Sequence, residues 1–405
     1  MEEKILPILR FDNFNDYWRM SSLLSQVEVR RGLTYKPNDV RSKGARVLRS
    51  SNIVDDSFVI SDDDVFVSKD VINIPRVSNG DILVTAANGS TKLVGKHAII
   101  KHLPDDEIVV HGGFMLLFKT EQNFFVNAWM SSNEYKRVLQ FVQGGNGAIG
   151  NLSSAILKST KMSVPSFSEQ SAIGSLFNTF DDLLARYKDN LTNYQSLKAT
   201  MLSKMFPKAG QSVPEIRLDG FEGDWKEQTL GSLGSVAMNK RIFKNETSEN
   251  GDIPFYKIGT FGGTADAFIS KEKFQEYKEK YPYPEIGDIL ISASGSIGRT
   301  VVYKGEDAYY QDSNIVWLKH DQQLDNSYLK QYYGIIKWSG IEGTTIKRLY
   351  NKNILETNIF LPPSVAEQQA IGAYFSNLDN LINSHQEKIS QLETLKKKLL
   401  QDMFV

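Results

Sequence analysis

Along two stretches of the chain, apolar residues recur at seven-residue steps. Phe180, Tyr187, Tyr194 and Met201 have Leu184 and Leu191 four places on; later, Leu378, His385, Leu392 and Leu399 run beside Ile382, Ile389 and Met403. Apolar positions spaced this way line one face of an α-helix. Ser166 or Ser168, after Pro165, caps the first such helix, and Glu169 sets a carboxylate against the positive end of its dipole. About 39 residues of helix span ~58 Å, longer than a small domain is wide, so the two stripes predict helices packed on each other as a coiled coil. His385 falls within the seam and reads as a seam residue rather than a ligand. The intervening segments have a different rhythm. VSNGDILVTAANGS (77–90) and EIGDILISASGSIGRTVVY (285–303) each run turn, short apolar strand, Gly/Ser loop. Residues 114–119 and 315–319 read as further strands, and Gly-rich loops at 144–150 and 340–345 precede a strand that enters each helix. The pattern predicts an α+β chain of two mixed α/β domains in pseudo-two-fold arrangement, separated by two long antiparallel helices.

The prediction of two domains comes from an internal repeat. Pro7, Arg10, Phe14, Trp18 and Leu23 return as Pro214, Arg217, Phe221, Trp225 and Leu230, each 207 residues later, and Gly80-Asp81-Ile82-Leu83 returns as Gly287-Asp288-Ile289-Leu290 at the same offset. Further on the offset is 198. There, 15 of 42 aligned positions from Pro165 and Pro363 onward are identical, including Glu169/Glu367, Gln170/Gln368, Gly174/Gly372, Asp181/Asp379 and the closing Met-Phe pairs. Each half is a variable domain followed by a more constant helix.

Composition narrows the function. At 405 residues the chain exceeds one core, and 41% apolar with 23% charged residues fits an ordinary globular protein. The opening MEEKILPILRF is acidic where a signal peptide needs basic residues, and no apolar run approaches a bilayer span, so a cytoplasmic protein is expected. Cysteine is absent and the five histidines lack ligand spacing, so no metal is expected. A net charge of −1 is awkward for a DNA binder, whose affinity draws on cations at the phosphates. Local patches offset it: Arg41, Lys43, Arg46 and Arg49; Lys92, Lys96 and Lys101; and Lys330, Lys337, Lys347, Arg348 and Lys352 against Glu342 alone.

The order of these parts resembles the specificity subunit of type I restriction-modification enzymes. The resemblance rests on the opening at Pro7, Arg10 and Phe11 with its copy at Pro214, Arg217 and Leu218, on the duplicated Gly-Asp-Ile-Leu strand, and on the proline-then-Glu-Gln entry to each helix. It implies target-recognition domains at 1–160 and 214–360, conserved helices at 165–207 and 363–405, and a linker at 208–213. It further implies that each domain contacts one half of a split DNA target, with the helices setting the unread spacer. The implied partners are double-stranded DNA, two methyltransferase subunits that use S-adenosylmethionine to methylate adenine, and motor-nuclease subunits; this chain itself would bind no cofactor. Asn88-Gly89-Ser90 lies one residue out of step with Ser294-Gly295-Ser296, which implies that the two domains read different sequences.

Loop donors on a rigid scaffold are the natural readers of base edges. The candidates are Arg41, Lys43, Arg46, Asn88, Ser90, Lys92, Lys96 and Asn146 in the first domain. In the second they are Lys240, Arg241, Lys257, Ser294, Ser296, Arg299, Thr344, Lys347 and Arg348. No catalytic set stands out. Leu361-Pro362-Pro363-Ser364 lacks the polar and aromatic residues of an adenine methyltransferase motif. Glu134-Tyr135-Lys136 and Glu276-Tyr277-Lys278 match a nuclease-like Glu-x-Lys string, but in segments that read as helical or looped. Asp181-Asp182 reads as a solvated face or a partner contact. The competing reading is an adaptor in which a coiled coil joins two protein-binding domains without DNA.

Overall fold

The computed structural model describes residues 5–142, 150–340 and 348–404. The two apolar stripes form the long helices Phe167–Lys204 and Val365–Asp402. Each is capped alike: Ser166 Oγ accepts from Glu169 N at 3.3 Å and Ser364 Oγ from Glu367 N at 3.2 Å. The chain divides into two compact units, Met1–Lys188 with Glu387–Val405, and Asp189–Gln386. Each long helix therefore supplies residues to both units.

Both units are built on one plan. The first has a four-stranded antiparallel sheet in the order His97–Ile99, Ile82–Thr85, Met115–Lys119, Glu28–Arg31. The second repeats it as Thr300–Val302, Ile289–Ser292, Ile315–His320, Gly234–Ala237. A second sheet in each, of four strands in the first unit and three in the second, holds one parallel pair, Ala45–Leu48 with Ile108–His111 and Ile253–Tyr256 with Tyr309–Tyr310. A two-stranded ribbon ties the start of each half to its end, Arg19–Ser22 with Lys161–Val164 and Lys226–Thr229 with Asn358–Leu361. The duplicated Gly-Asp explains itself at the head of the central strand. Gly80 and Gly287 sit at φ +92° and +100°, where a side chain is strained. Asp81 and Asp288 each accept a backbone N–H three residues back, from Ser78 and Glu285, both at 2.8 Å.

The helix entry is fixed by a long-range ion pair. Arg10 grips Glu169 with Nε and Nη2, both at 2.6 Å, and Arg217 grips Glu367 at 2.7 and 2.8 Å. Both carboxylates are buried, so either would be costly to leave unpaired. Glu169 thus does more than oppose a dipole: it anchors the N-terminal arm of its own unit. Gly174 lets the helix close on the next helix, Asn123–Ser131; an added Cβ would lie 2.8 Å from Phe125 N. Gly372 meets Ser327 in the corresponding place.

The closing Met-Phe pairs finish the cores. Phe404 packs in the first unit against Trp18, Phe125 and Phe177, with ring centroids 6.3, 5.7 and 6.0 Å away. Phe206 packs in the second against Trp225, Tyr328 and Phe375, at 6.2, 5.5 and 6.1 Å. Within each unit the helix segments are laced by equivalent ion pairs, Asp181 with Lys396 and Asp379 with Lys198, both at 2.5 Å. Asp181 is therefore an interhelical partner within the chain rather than a solvated face, and Asp182 pairs with Lys101 at 2.9 Å. Partial burial works against the charge of Asp379. Lys198 and Lys330 together outweigh it and hold the carboxyl below its ordinary range. His385 meets Tyr194 edge-on at 5.2 Å, as a seam residue would.

Candidate DNA-reading surface

The site is built where the central strand ends in each unit. Ala86 N donates to Phe114 O at 2.9 Å, and Leu152 N to Ala86 O at 2.7 Å. In the second unit Ala293 N donates to Asn314 O, and Leu349 N to Ala293 O, both at 2.7 Å. Strand register agrees, with Met115 opposite Thr85 and Ile315 opposite Ser292. Ala87 faces Asn151 just as Ser294 faces Arg348. One backbone frame thus holds Ala87, Phe114 and Asn151 in the first unit and Ser294, Asn314 and Arg348 in the second.

Around the second frame the loops interlock. Ser294 Oγ lies 2.8 Å from Asn314 Oδ1, and Arg348 Nη2 donates to Ser313 O at 3.0 Å. Arg241 pairs with Asp312 at 3.2 Å. Gln311 Oε1 accepts from Ile258 N at 3.0 Å, while exposed Arg299 donates to Ile258 O at 3.0 Å and lies over the Phe261 ring. Ser313 adopts φ +58°, a left-handed backbone uncommon for serine, in the middle of this cluster. Arg241, Ser294 and Arg348 are thereby gathered around residues 311–314, Arg299 joins them through Ile258, and exposed Ser296 engages the Ser292 hydroxyl through its carbonyl. Lys240 is exposed over the Tyr281 ring, its carbonyl held by Tyr309 Oη at 3.0 Å. Lys257 is half-buried and pairs with Asp266 at 2.8 Å. Thr344 and Lys347 lie outside the described residues.

The first-unit candidates are more scattered. Asn88 Oδ1 accepts from Ser90 N at 3.0 Å, so Asn88 shapes the turn, and exposed Lys92 and half-buried Lys96 follow it. Arg41 and Lys43 lie on and just after Val40–Arg41 of the second sheet, and Arg41 bonds the carbonyls of Asn38 and Val40 at 2.7 and 2.9 Å. Arg46 leaves the candidate set. It is buried on the strand Ala45–Leu48, held by Glu107 at 2.7 and 2.9 Å and by Asp64 at 2.8 Å, with Phe66 beneath it. Hydrogen bonding to Glu107, against the cost of burial, raises its pKa further. Its guanidinium makes four hydrogen bonds inside the unit and is buried away from the surface a base would approach. Asn146 lies outside the described residues.

Other charged residues prove structural. Lys101 and Lys330 from the basic patches pair with Asp182 and Asp379. Glu134, of the first Glu-x-Lys string, lies in the helix Asn133–Leu139; burial raises its pKa while Trp129 Nε1 and the Ser163 backbone and hydroxyl donate to it. Glu276 lies in the helix Lys271–Lys280 and pairs with Lys280. Burial lowers the pKa of His97 and His111. Among the described residues no group of three or more His, Asp or Glu is placed to hold a metal, and no helix is long and apolar enough to cross a membrane. Sequence reasoning missed Phe114, Asn151 and Asn314. Aligning the strand starts Met115 and Ile315, at an offset of neither 207 nor 198, would have found the first and last.

Comparison with known proteins agrees with this architecture. The family model of the type I restriction modification DNA specificity domain matches residues 222–394. A Haemophilus influenzae protein named as a type I restriction enzyme specificity subunit is 56% identical over 156 residues, covering 38% of this chain and 40% of that protein. Another of that name, MjaX of Methanocaldococcus jannaschii, is 24% identical over 95% of this chain and 92% of its own length. The crystal structure of the type I restriction-modification system S subunit from M. genitalium shares the fold over 99% of both chains, with a TM-score of 0.66 at 16% identity. Residues 222–394 thus match the family model of the type I restriction modification DNA specificity domain, and the chain is similar in sequence to proteins named as type I specificity subunits and in fold to a solved one.

Proposed function

We propose that this chain reads a bipartite target in double-stranded DNA, one half-site per unit, and positions two methyltransferase subunits on it, with motor-nuclease subunits completing the restriction complex in the cytoplasm. The observation that carries this reading is one backbone frame presenting two different sets of side chains, Ala87, Phe114 and Asn151 against Ser294, Asn314 and Arg348. A duplicated scaffold with unlike tips suits two unlike half-sites. The sheets fix position, and the tips choose bases. The chain supplies no reacting group: S-adenosylmethionine and the adenine meet on the methyltransferase subunit. Electrostatic attraction is local, since acids and bases nearly cancel over the whole chain. Cations such as Lys92, Lys240, Arg299 and Arg348 would meet the phosphates and base edges, and each phosphate neutralised steepens the salt dependence by about 0.9 in log–log slope.

The test is duplex protection by the full chain mixed with a type I methyltransferase subunit, measured across a salt series. Sequence-specific protection that weakens as salt rises is expected. Absence of specific protection at every salt concentration overturns the proposal and favours the adaptor reading.

A further inference from the structure

Resting on that DNA-reading role, we propose that Phe114 is a specificity-determining residue of the first unit that reads the methyl group of a thymine in its half-site. Phe114 is 65% exposed, although the strand it leads, Met115–Lys119, is buried along most of its length. An aromatic left in water contributes nothing to the core. Its backbone is nevertheless held firmly, because its carbonyl accepts from both Ala86 N and Ala87 N, at 2.9 and 3.1 Å. Gly112 and Gly113 before it are closely packed: an added Cβ would come 3.3 Å from Val47 at one and from the Leu33 carbonyl at the other. The ring is therefore the large group standing at a fixed tip.

The same place in the second unit holds Asn314, whose carboxamide oxygen engages Ser294 Oγ at 2.8 Å. One unit thus offers an apolar group where the other offers a polar one. The remaining frame positions of the first unit are Ala87 and exposed Asn151, neither of them a cation. An aromatic face beside a carboxamide matches the major-groove edge of an A·T pair, where thymine shows a methyl and adenine an acceptor–donor pair. Insertion between base pairs would need the whole ring to project.

The experiment selects bound duplexes from a randomised pool with the full chain, wild type or Phe114→Ala, mixed with a type I methyltransferase subunit. The variant is expected to lose about tenfold of its preference for thymine at one position of one half-site, with the other half-site and the melting temperature unchanged. Deoxyuridine in place of that thymidine should weaken wild-type binding by the same factor and leave the variant unaffected. An unchanged motif, or a loss spread evenly over all sequences, overturns the role of Phe114 while leaving DNA reading intact. A wild-type chain that selects no motif overturns both.

Discussion

Replacing Phe404 by alanine tests how the units are finished. Phe404 is 5% exposed and sits among Trp18, Phe125 and Phe177 in the first unit's core. Emptying such a site costs about 3–5 kcal/mol, the lost transfer of the ring plus the cavity left behind. For a folding unit of roughly 200 residues, each kcal/mol lowers the melting temperature by about 2–4 °C, so a drop of about 6–20 °C is expected. Hydrogen exchange on the full-length protein localises the effect. Amides of Ile82–Thr85 and Met115–Lys119 should exchange at least about a hundredfold faster, while those of Ile289–Ser292 and Ile315–His320 keep their protection. Phe206→Ala should reverse the pattern, through the loss of its packing on Trp225, Tyr328 and Phe375. Unchanged protection in the first unit of Phe404→Ala, or equal loss in both units, would refute the assignment of this helix end to the first core.

Arg217→Ala strands the buried Glu367 and should destabilise the second unit by about 3–5 kcal/mol in denaturant melts, whereas Arg217→Ala with Glu367→Leu should recover much of it. Arg46→Ala should lower stability comparably, with the salt slope of DNA binding unchanged; Arg348→Ala should leave stability near wild type and reduce that slope by up to about one or relax one base position. The folded carboxyl of Asp379 lies below its unfolded value, so its contribution is present above the ordinary carboxylate range and fades as pH falls through the folded pKa. The stability gap between wild type and Asp379→Asn should accordingly be largest near neutrality and close as urea melts are taken from about pH 6 to about pH 3.

The long helices were legible because burial against a partner imposes a period on the sequence, and Leu184 and Ile389 lie buried where the stripes put them. The duplicated Arg10 and Glu169 were visible as a repeat but not as a pair, since nothing local signals a bond across 159 positions. Arg46 was misread for the same reason. Its charge suggested a loop, yet Ala-Arg-Val-Leu is a fully buried strand, and the acids that make this possible, Asp64 and Glu107, lie far along the chain. The reading frame was legible only at Ser294 and Arg348, whose donors stand out. Phe114, Asn151 and Asn314 are joined to it by strand register and backbone bonds, which leave no chemical signal in the sequence.

Whether the helices set the gap between two DNA readers is tested by lengthening both of them. Seven residues inserted after Lys188 and seven after Gln386 fall where the units divide and preserve the heptad. Such an insertion adds about 10.5 Å of helix, close to three base pairs of duplex. Motif selection with wild type and the insertion variant should return the same two half-sites, with the gap between them about three base pairs longer in the variant. An identical gap in both proteins would contradict a spacing role for the helices.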